Sequence, residues 1–429
     1  MTPLHPLSAP ADFFQRFFQE LERQDLPYVI LHAYEEMPAS IPTDVDFSVR
    51  SADLHSIRPI VAQIASQLGW LHVKTVQHEV WGYQFVAVNP HDFREFLQLD
   101  VCPHFMRDAH VFISDSTLLA GRRRYNGFYI PAPSAEFAYT LAKTVAKQKS
   151  LTDYLPQLRR LWEQEPKQCA AHLRELLGEA FSSLDQLEKP GTTPDALLGE
   201  MRARHPKPLQ MRLNEWRRIL RRMRQPCGVH LAVLGPDGVG KSTLLQNVAE
   251  LIAPLFRSLK VLHFRPAFFE RKTDRTPTEQ PHAQRPRGTC ASWLKVLYYA
   301  FDHWCGYLLQ QRLALATNHC VLFDRNFDDL LIDPVRYRLQ NSRWLIRLLR
   351  PLLPKPALTF ILSASPEVIH QRKPELSQEE IARQLAAMQS LAATSASYQI
   401  INAQQPAAQV ATEVISHLTA FLARREQKL

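Results

Sequence analysis

The sequence of 429 residues predicts an α/β fold in three parts: a small N-terminal α/β domain, a helical connector and a C-terminal domain with a doubly wound parallel sheet. From residue 227 onward, five short apolar runs alternate with helical segments. Such nearly continuous apolar runs are typical of parallel strands covered on both faces, and helices between them imply right-handed crossovers. The predicted strands are Val229–Leu234, Val261–Phe264, Val321–Asp324, Leu358–Leu362 and Tyr398–Ile401.

The region from residue 1 to 148 mixes short apolar runs with amphipathic segments, which predicts a small α/β domain with its own sheet. The predicted strands are Tyr28–His32, Val45–Val49, Gln84–Val88 and Phe96–Val101. The predicted helices are Phe13–Arg23, Leu54–Leu68 and Ala135–Lys147.

The connector, residues 149–226, shows only helical periodicity, and it ends in a basic helix, Leu213–Arg224. Much of the net charge of +9 is concentrated here. The segment Arg202–Arg224 contains nine lysines and arginines and one acid, Glu215. Such a segment suits phosphates of a substrate, a nucleic acid or an anionic membrane surface. A solvated helix or linker that carries solubilising charge is an equally good interpretation.

Cysteine usage and hydropathy limit the possible classes of protein. The six cysteines are scattered without a C-x-x-C pair, which argues against a disulfide framework and a zinc cluster and favours a reducing, cytoplasmic location. The start of the chain lacks the pattern of a signal peptide. The most apolar stretch, Trp293–Leu309, is too short and too charged for a membrane span, and we expect a buried helix there.

A glycine-rich motif follows the strand Val229–Leu234 and precedes a helical run, Leu244–Leu251. It satisfies G-x-x-x-x-G-K-[ST], the pattern of a phosphate-binding loop that holds a nucleoside triphosphate, here expected to be ATP. Glycines let the backbone N–H groups approach the phosphates, and the following helix directs its positive end toward them. The loop consists of Gly235, Pro236, Asp237, Gly238, Val239, Gly240, Lys241, Ser242 and Thr243.

Within this loop, Lys241 is expected to contact the β- and γ-phosphates, and Ser242 is expected to bind Mg²⁺. The strand Val321–Asp324 ends in a second element of the site. A carboxylate at the end of such a strand holds Mg²⁺ directly or through water, and Arg325 is placed to grip an acceptor or a transferring phosphate. A strand-end salt bridge between Asp324 and Arg325 is the alternative.

The segments GPDGVGKST, FDR and Ser363–Met388 together resemble the thymidylate kinase-like group of P-loop kinases over roughly residues 227–425. The resemblance implies that Asp237 reaches the sugar hydroxyl of the acceptor, and that Asp324 and Arg325 serve the metal and the acceptor phosphate. It also implies a lid over the transferring group, with Arg372 and Lys373 in that region.

The sequence departs from that group at three places, one of which is Gly238, where some members carry an arginine within the loop. The element after the second strand is Phe264-Arg265-Pro266, which keeps Arg265 for the acceptor but lacks the acid and glycines of the group. The lid is poor in arginine. These differences argue against the housekeeping thymidylate substrate. The segment 327–338 resembles a subset associated with bacterial surface-polysaccharide loci, and Asp328, Arg336 and Arg338 are either acceptor ligands or members of local ion pairs.

Three carboxylates in the N-terminal domain lie near strand ends. Asp44 and Asp46 point to one face because strand side chains alternate, and Asp100 ends another apolar run. Three such carboxylates suit Mg²⁺, and the arrangement resembles the nucleotidyltransferase fold. The Gly-Ser turn of that fold falls on Ala33 and Tyr34. A catalytic domain, a non-catalytic binding fold and a plain α/β domain all remain open.

The leading functional hypothesis is an ATP- and Mg²⁺-dependent kinase that acts on a small nucleotide, nucleoside or sugar-type acceptor. The alternatives are a nucleotide-dependent switch or nucleic-acid-binding ATPase, with Arg202–Arg224 as its docking surface, and a scaffold whose nucleotide site only stabilises the fold. Peripheral membrane contact through the basic segment and a homodimer are further possibilities.

Overall fold

The computed structural model describes residues 8–189, 192–266 and 285–428. The chain forms two compact units. The first unit contains Met1–Leu220 and Leu422–Leu429, and the second contains Arg221–Phe421.

Eight helices and nine strands precede residue 228 in the described ranges. The helices are α1 (Ala9–Arg23), α2 (Leu54–Gln67), α3 (Asp115–Leu119), α4 (Pro133–Ala146), α5 (Leu155–Gln164), α6 (Pro166–Leu177), α7 (Pro194–Arg204) and α8 (Leu209–Arg224). The strands are β1 (Tyr28–Ile30), β2 (Asp44–Val49), β3 (Leu71–Gln77), β4 (Tyr83–Val88), β5 (Phe96–Val101), β6 (Phe105–Arg107), β7 (His110–Ile113), β8 (Arg123–Tyr125) and β9 (Phe128–Ile130).

Five of these strands form one sheet in the order β1-β2-β5-β4-β3, and only β2 and β5 pair in parallel. Helix α1 covers the sheet because its phenylalanines recur on one face; Phe13 and Phe17 are fully buried. A second apolar cluster packs α4 against α5, α6 and α7. Strand β3 was not predicted from the sequence, because Lys74 interrupts its apolar pattern even though that side chain is buried.

The remaining elements begin with β10. They are β10 (Val229–Leu234), α9 (Lys241–Ile252), β11 (Ser258–His263), α10 (Thr289–Gly306), α11 (Arg312–Ala316), β12 (His319–Asp324), α12 (Asp329–Ile332), α13 (Arg343–Leu349), β13 (Leu358–Ser363), α14 (Pro366–Arg372), α15 (Gln378–Ala392), β14 (Tyr398–Asn402) and α16 (Ala407–Glu426).

The five strands of the second unit form a fully parallel sheet in the order β11-β12-β10-β13-β14. This confirms the predicted α/β fold class. Strand β10 lies at the centre, between β12 and β13, and the chain visits the β12 side before the β13 side. The carboxyl end of β10 is therefore the switch point at which open α/β sheets bind ligands.

One expectation about helix α10 and the residues just after it is wrong. The stretch Trp293–Leu309 was expected to be a buried helix, but its apolar residues lie on two faces. Val296 and Ala300 are buried, whereas Leu294, Phe301 and Leu309 are exposed. Within the described residues, no helix is long and apolar enough to cross a membrane.

Candidate active site

The glycine-rich loop joins β10 to α9, and its backbone adopts the conformation that the sequence pattern requires. Gly238 and Gly240 have φ values of 88° and 107°, in the region that side chains disfavour. Gly240 caps the N-terminus of α9, and Lys241 is its first residue. The loop therefore leads directly into the helix end at which backbone N–H groups lack intrahelical partners and attract anions.

A Cβ atom at Gly238 would lie 2.8 Å from the Cβ of Lys373, whereas one at Gly240 would meet no atom within 4 Å. We therefore expect Gly238→Ala to weaken nucleotide binding more than Gly240→Ala, although both substitutions strain the backbone by about 1–3 kcal/mol. The measurement is the affinity of each variant for a fluorescent ATP analogue. Equal losses would show that contact with Lys373 is unimportant.

The ammonium of Lys241 is held by the loop itself. Its Nζ donates to the carbonyls of Gly235 (2.8 Å) and Pro236 (2.9 Å) and lies 3.6 Å from the carboxylate of Asp237. Burial and the charge of Arg325 lower the pKa of Lys241 to about 8. A phosphate that enters the loop must replace the two carbonyls, and it would stabilise the charged form of the lysine.

The residues expected to bind Mg²⁺ lie at the same end of the sheet. Asp324 ends β12 beside Val233 of β10, and Ser242 is exposed in the first turn of α9. In the part of the chain that the structure describes, Asp324 Oδ1 is buried and has no hydrogen-bond partner. Its other oxygen lies 3.2 Å from Nδ1 of His263. A buried carboxylate oxygen without a partner, at the same end of the sheet as the Ser242 hydroxyl, is a donor that fits Mg²⁺.

The carboxylate of Asp237 joins two arginines. Arg325 Nη2 lies 2.6 Å from Asp237 Oδ1, and Arg336 Nη1 lies 2.5 Å from Oδ2. Although burial opposes the effect, the charges of Arg325, Lys241 and Arg336 hold the pKa of Asp237 well below its usual range. The structure thus brings the loop, the neighbouring residues Asp324 and Arg325, and Arg336 together.

Arg325 is fixed from its other side by a buried carboxylate. Its Nη1 donates to both oxygens of Asp329, at 3.1 and 3.0 Å, and Tyr337 donates its hydroxyl to Asp329 at 2.7 Å. Asp329 is fully buried. The guanidinium of Arg325 is therefore oriented before any ligand binds.

Other predicted acceptor residues lie in separate contacts. Arg265 follows β11, and its Nη1 lies 3.4 Å from the buried carboxylate of Asp302, with its guanidinium over the rings of Tyr298 and Tyr299. Asp328 pairs with Arg350 at 2.6 Å and accepts from Tyr398 at 2.6 Å.

The remaining arginine of this segment and the lid residues also have local contacts. Arg338 donates to the carbonyl of Arg285 at 2.9 Å. Arg372 is exposed and donates to the carbonyl of Ala403 at 3.3 Å. Lys373 lies with its Cβ against Gly238, while its ammonium pairs with Glu375 at 3.1 Å. Lys373 is therefore next to the loop, and its charge is directed to a neighbouring surface carboxylate.

In the first unit, Asp44, Asp46 and Asp100 line one cavity of about 200 Å³. Asp46 and Asp100 are opposite each other on the neighbouring strands β2 and β5. Basic side chains lie against both of them, however. Asp46 lies 2.8 Å from Lys143 Nζ and 2.5 Å from His32 Nε2, and Asp100 lies 2.8 Å from His78 Nε2.

These residues do not fit a metal ion as they stand. In residues 8–189, as in the other described ranges, no group of three or more His, Cys, Asp and Glu side chains is arranged to hold one. Although burial opposes the effect, the hydrogen bond from His32 and the charge of Lys143 lower the pKa of Asp46. Tyr34 occupies the position of the serine in the Gly-Ser turn of the nucleotidyltransferase fold. Its hydroxyl donates to the buried carboxylate of Glu136 at 2.8 Å.

Sequence reasoning did not single out Asp329, Tyr337, Lys143 or His32. Asp329 and Tyr337 stand eight residues apart, and only the turn after α12 brings them together. Lys143 lies on α4, 97 residues from Asp46, and nothing in the local pattern of either residue indicates the pair. The sequence did contain one signal for Asp329, which is its position four residues after Arg325.

No protein-family model matches the chain, and no curated protein matches it. Among solved structures, the chain is similar to a thymidylate kinase from Ehrlichia chaffeensis, with 16% identity and a TM-score of 0.33. The similarity covers 44% of this chain and 98% of that chain. It is too low to indicate an activity or a substrate.

Proposed function

We propose that the second unit is an ATP-dependent phosphotransferase that transfers the γ-phosphoryl group to a small acceptor of the nucleotide, nucleoside or sugar class. The observation that carries the proposal is the joining of the loop carboxylate, Asp237, to Arg325 and Arg336. Two arginines beside the loop carboxylate can hold an anionic group of an acceptor and stabilise charge on the transferring phosphoryl group.

On the donor side, the backbone N–H groups of the loop and the start of α9 would bind the triphosphate. Lys241 would exchange its two carbonyl partners for phosphate oxygens, which makes binding specific for an anion. Ser242 and Asp324 would hold Mg²⁺, which when bound neutralises charge on the phosphates. The transfer itself depends mainly on positioning and on positive charge around the moving group.

On the acceptor side, the two arginines differ in freedom. Arg325 is fixed by Asp329, so that it presents its charge at a constant position. The side chain of Arg336 is one-quarter exposed and is held only by Asp237 and its neighbours in the described ranges. An acceptor that carries a phosphate or carboxylate would compete with Asp237 for both guanidinium groups.

The low pKa of Asp237 limits its chemical role. A carboxylate that stays ionised well below its usual range is a weak base, because proton transfer to it is unfavourable. Asp237 would therefore accept a hydrogen bond from the acceptor hydroxyl and orient it, rather than remove its proton. Since phosphoryl transfer needs little help from a strong base, this role is sufficient.

For the finer identity of the acceptor, we favour a sugar-type or nucleotide acceptor connected with surface polysaccharides, on the resemblance of segment 327–338. Arg265, Arg372 and Lys373 remain proposed contributors that would have to leave their present partners. For the first unit, we propose a nucleotidyltransferase-like binding fold, since Asp46 and Asp100 already pair with Lys143, His32 and His78.

The test is a thermal-shift screen of the purified full chain with nucleotides, nucleosides and phosphosugars, with and without Mg²⁺. Compounds that stabilise the protein are then incubated with ATP, and the products are identified by mass. We expect an acceptor that gains one phosphoryl group.

Arg336→Gln should raise the KM for that acceptor by roughly a hundredfold, since it removes a charge-assisted contact of about 2–3 kcal/mol, and should leave ATP affinity unchanged.

The pKa of Lys241 predicts a pH dependence of ATP binding. Below pH 8 the ammonium is present in the free protein, so affinity should be constant. Above pH 8 the free protein loses this proton and binding must recover it, so the Kd for ATP should rise by up to about tenfold per pH unit. Isothermal titration calorimetry between pH 7 and pH 9.5 measures this. Lys241→Arg, which stays charged, should bind with a flat profile, and a flat profile in the parent protein would contradict the assignment.

A further inference from the structure

Helix α8 carries an exposed apolar stripe. Leu209, Leu213, Trp216 and Leu220 follow one another at intervals of four, three and four residues, so they lie on one face of the helix. All four are exposed, with Leu209 at 72% and Trp216 at 66%. Four large apolar side chains in one exposed row are uncommon on a soluble surface and indicate a binding face.

The opposite face of α8 is held by the protein. Met211 is buried in a cluster with Val80, Met106 and Ala109. Arg218 pairs with Glu215 at 2.5 Å and donates to the carbonyl of Gln77 at 3.2 Å. These contacts fix the rotation of the helix, and the apolar stripe is directed outward as a result.

Positive charge borders the stripe on both sides. At about 3.6 residues per turn, Arg212 lies on one side, and Arg217, Arg224 and then Arg221 lie on the other. All four arginines are exposed. The one acid of the helix, Glu215, is turned to the opposite face, where it pairs with Arg218. The outward face of α8 is therefore apolar at its centre and cationic at its edges.

We propose that α8 binds the surface of an anionic lipid bilayer and lies in the plane of the headgroups with its apolar stripe inserted. A basic amphipathic helix with tryptophan and leucine on one face is the pattern of interfacial membrane helices, and arginines near an anionic leaflet each strengthen binding. Nucleic acid would use the arginines but not the leucines.

A second exposed apolar face provides a contrast. Leu294 and Phe301 of α10, and Leu308 just after it, are exposed. Lys295 donates to the carbonyl of Tyr337, and Asp302 pairs with Arg265. Among the described residues, Lys295 and Arg265 are therefore held by contacts within the chain, whereas the arginines that border the stripe of α8 are exposed.

The proposal is tested by sedimentation of the full chain with vesicles of phosphatidylcholine alone and of phosphatidylcholine with about one-third phosphatidylglycerol. We expect binding to the second kind only, weakened by salt. Trp216→Gln/Leu220→Gln should lower the affinity at least tenfold, because it removes two apolar side chains that would be buried in the bilayer. Arg212→Gln/Arg217→Gln should lower it about 25-fold, at roughly fivefold per arginine.

The matched control is Trp344→Gln/Leu348→Gln, which removes the same two side-chain types from exposed positions on α13 and should bind vesicles like the parent. Circular dichroism should be unchanged in all variants, since the replaced residues are exposed. The proposal is overturned if the Trp216/Leu220 variant binds as the parent does, if neutral vesicles bind equally, or if only a single-stranded oligonucleotide is bound.

Discussion

Lys241→Ala is expected to lower the rate of phosphoryl transfer by at least about a thousandfold, the scale of removing one preorganised charge from the transition state. In the structure the ammonium lies against two loop carbonyls and Asp237, at the entrance to the positive end of α9. No other lysine of the described residues lies in this loop. Its loss should reduce both ATP affinity and kcat.

The measurement is single-turnover transfer from ATP to the acceptor found in the screen, and Lys373→Ala is measured beside it as a second basic residue close to the loop. Lys373 is close to Gly238, but its ammonium pairs with Glu375, so a loss of no more than about tenfold is expected for it. The far-ultraviolet spectrum of Lys241→Ala should match that of the parent. Retention of transfer by this variant would remove the loop from the mechanism.

Arg325→Gln is expected to destabilise the second unit by about 3–5 kcal/mol, because it leaves the buried carboxylate of Asp329 without its cation. Burial of the guanidinium lowers the pKa of Arg325, but the charges of Asp329 and Asp237 outweigh it and raise the pKa overall. Scanning calorimetry of the full chain should show one transition lowered by roughly 6–20 °C.

Two variants separate charge from shape in this prediction. Arg325→Gln/Asp329→Asn removes both partners and should recover part of the stability, since no buried charge is left unpaired. Arg336→Gln should cost less than about 1 kcal/mol, because its partner Asp237 keeps Arg325 and Lys241. If the double variant were less stable than Arg325→Gln, the buried pair would not be the cause.

Much of the fold was predictable, for a physical reason. Strand β10 has the predicted bounds, Val229–Leu234, because a central parallel strand is apolar throughout and ends at a motif. Strand β11 begins at Ser258 rather than at the predicted Val261. It is an edge strand with exposed polar residues at its start, so the apolar pattern that marks a strand begins only later. Phe264, predicted as its last residue, leaves the strand with a φ of 59°.

The site was predictable where chemistry is local. The loop Gly235–Thr243 and the pair Asp324-Arg325 lie together at the carboxyl ends of β10 and β12, as parallel neighbours must. The partners that decide their charges come from distant segments. Arg336 is 99 residues from Asp237, and Lys143 is 97 residues from Asp46, so only the folded chain reveals these pairs.

If the second unit passes the γ-phosphoryl group of ATP to an organic acceptor, label from the γ-phosphate must appear on that acceptor. The most direct measurement follows the γ-phosphate label in the presence of the acceptor found in the screen and determines its division between that acceptor and water. We expect label on the acceptor with the parent protein and a shift toward inorganic phosphate with Arg336→Gln, because the acceptor would be poorly held. Label that appears only as inorganic phosphate, at the same rate with and without every acceptor, would contradict the account.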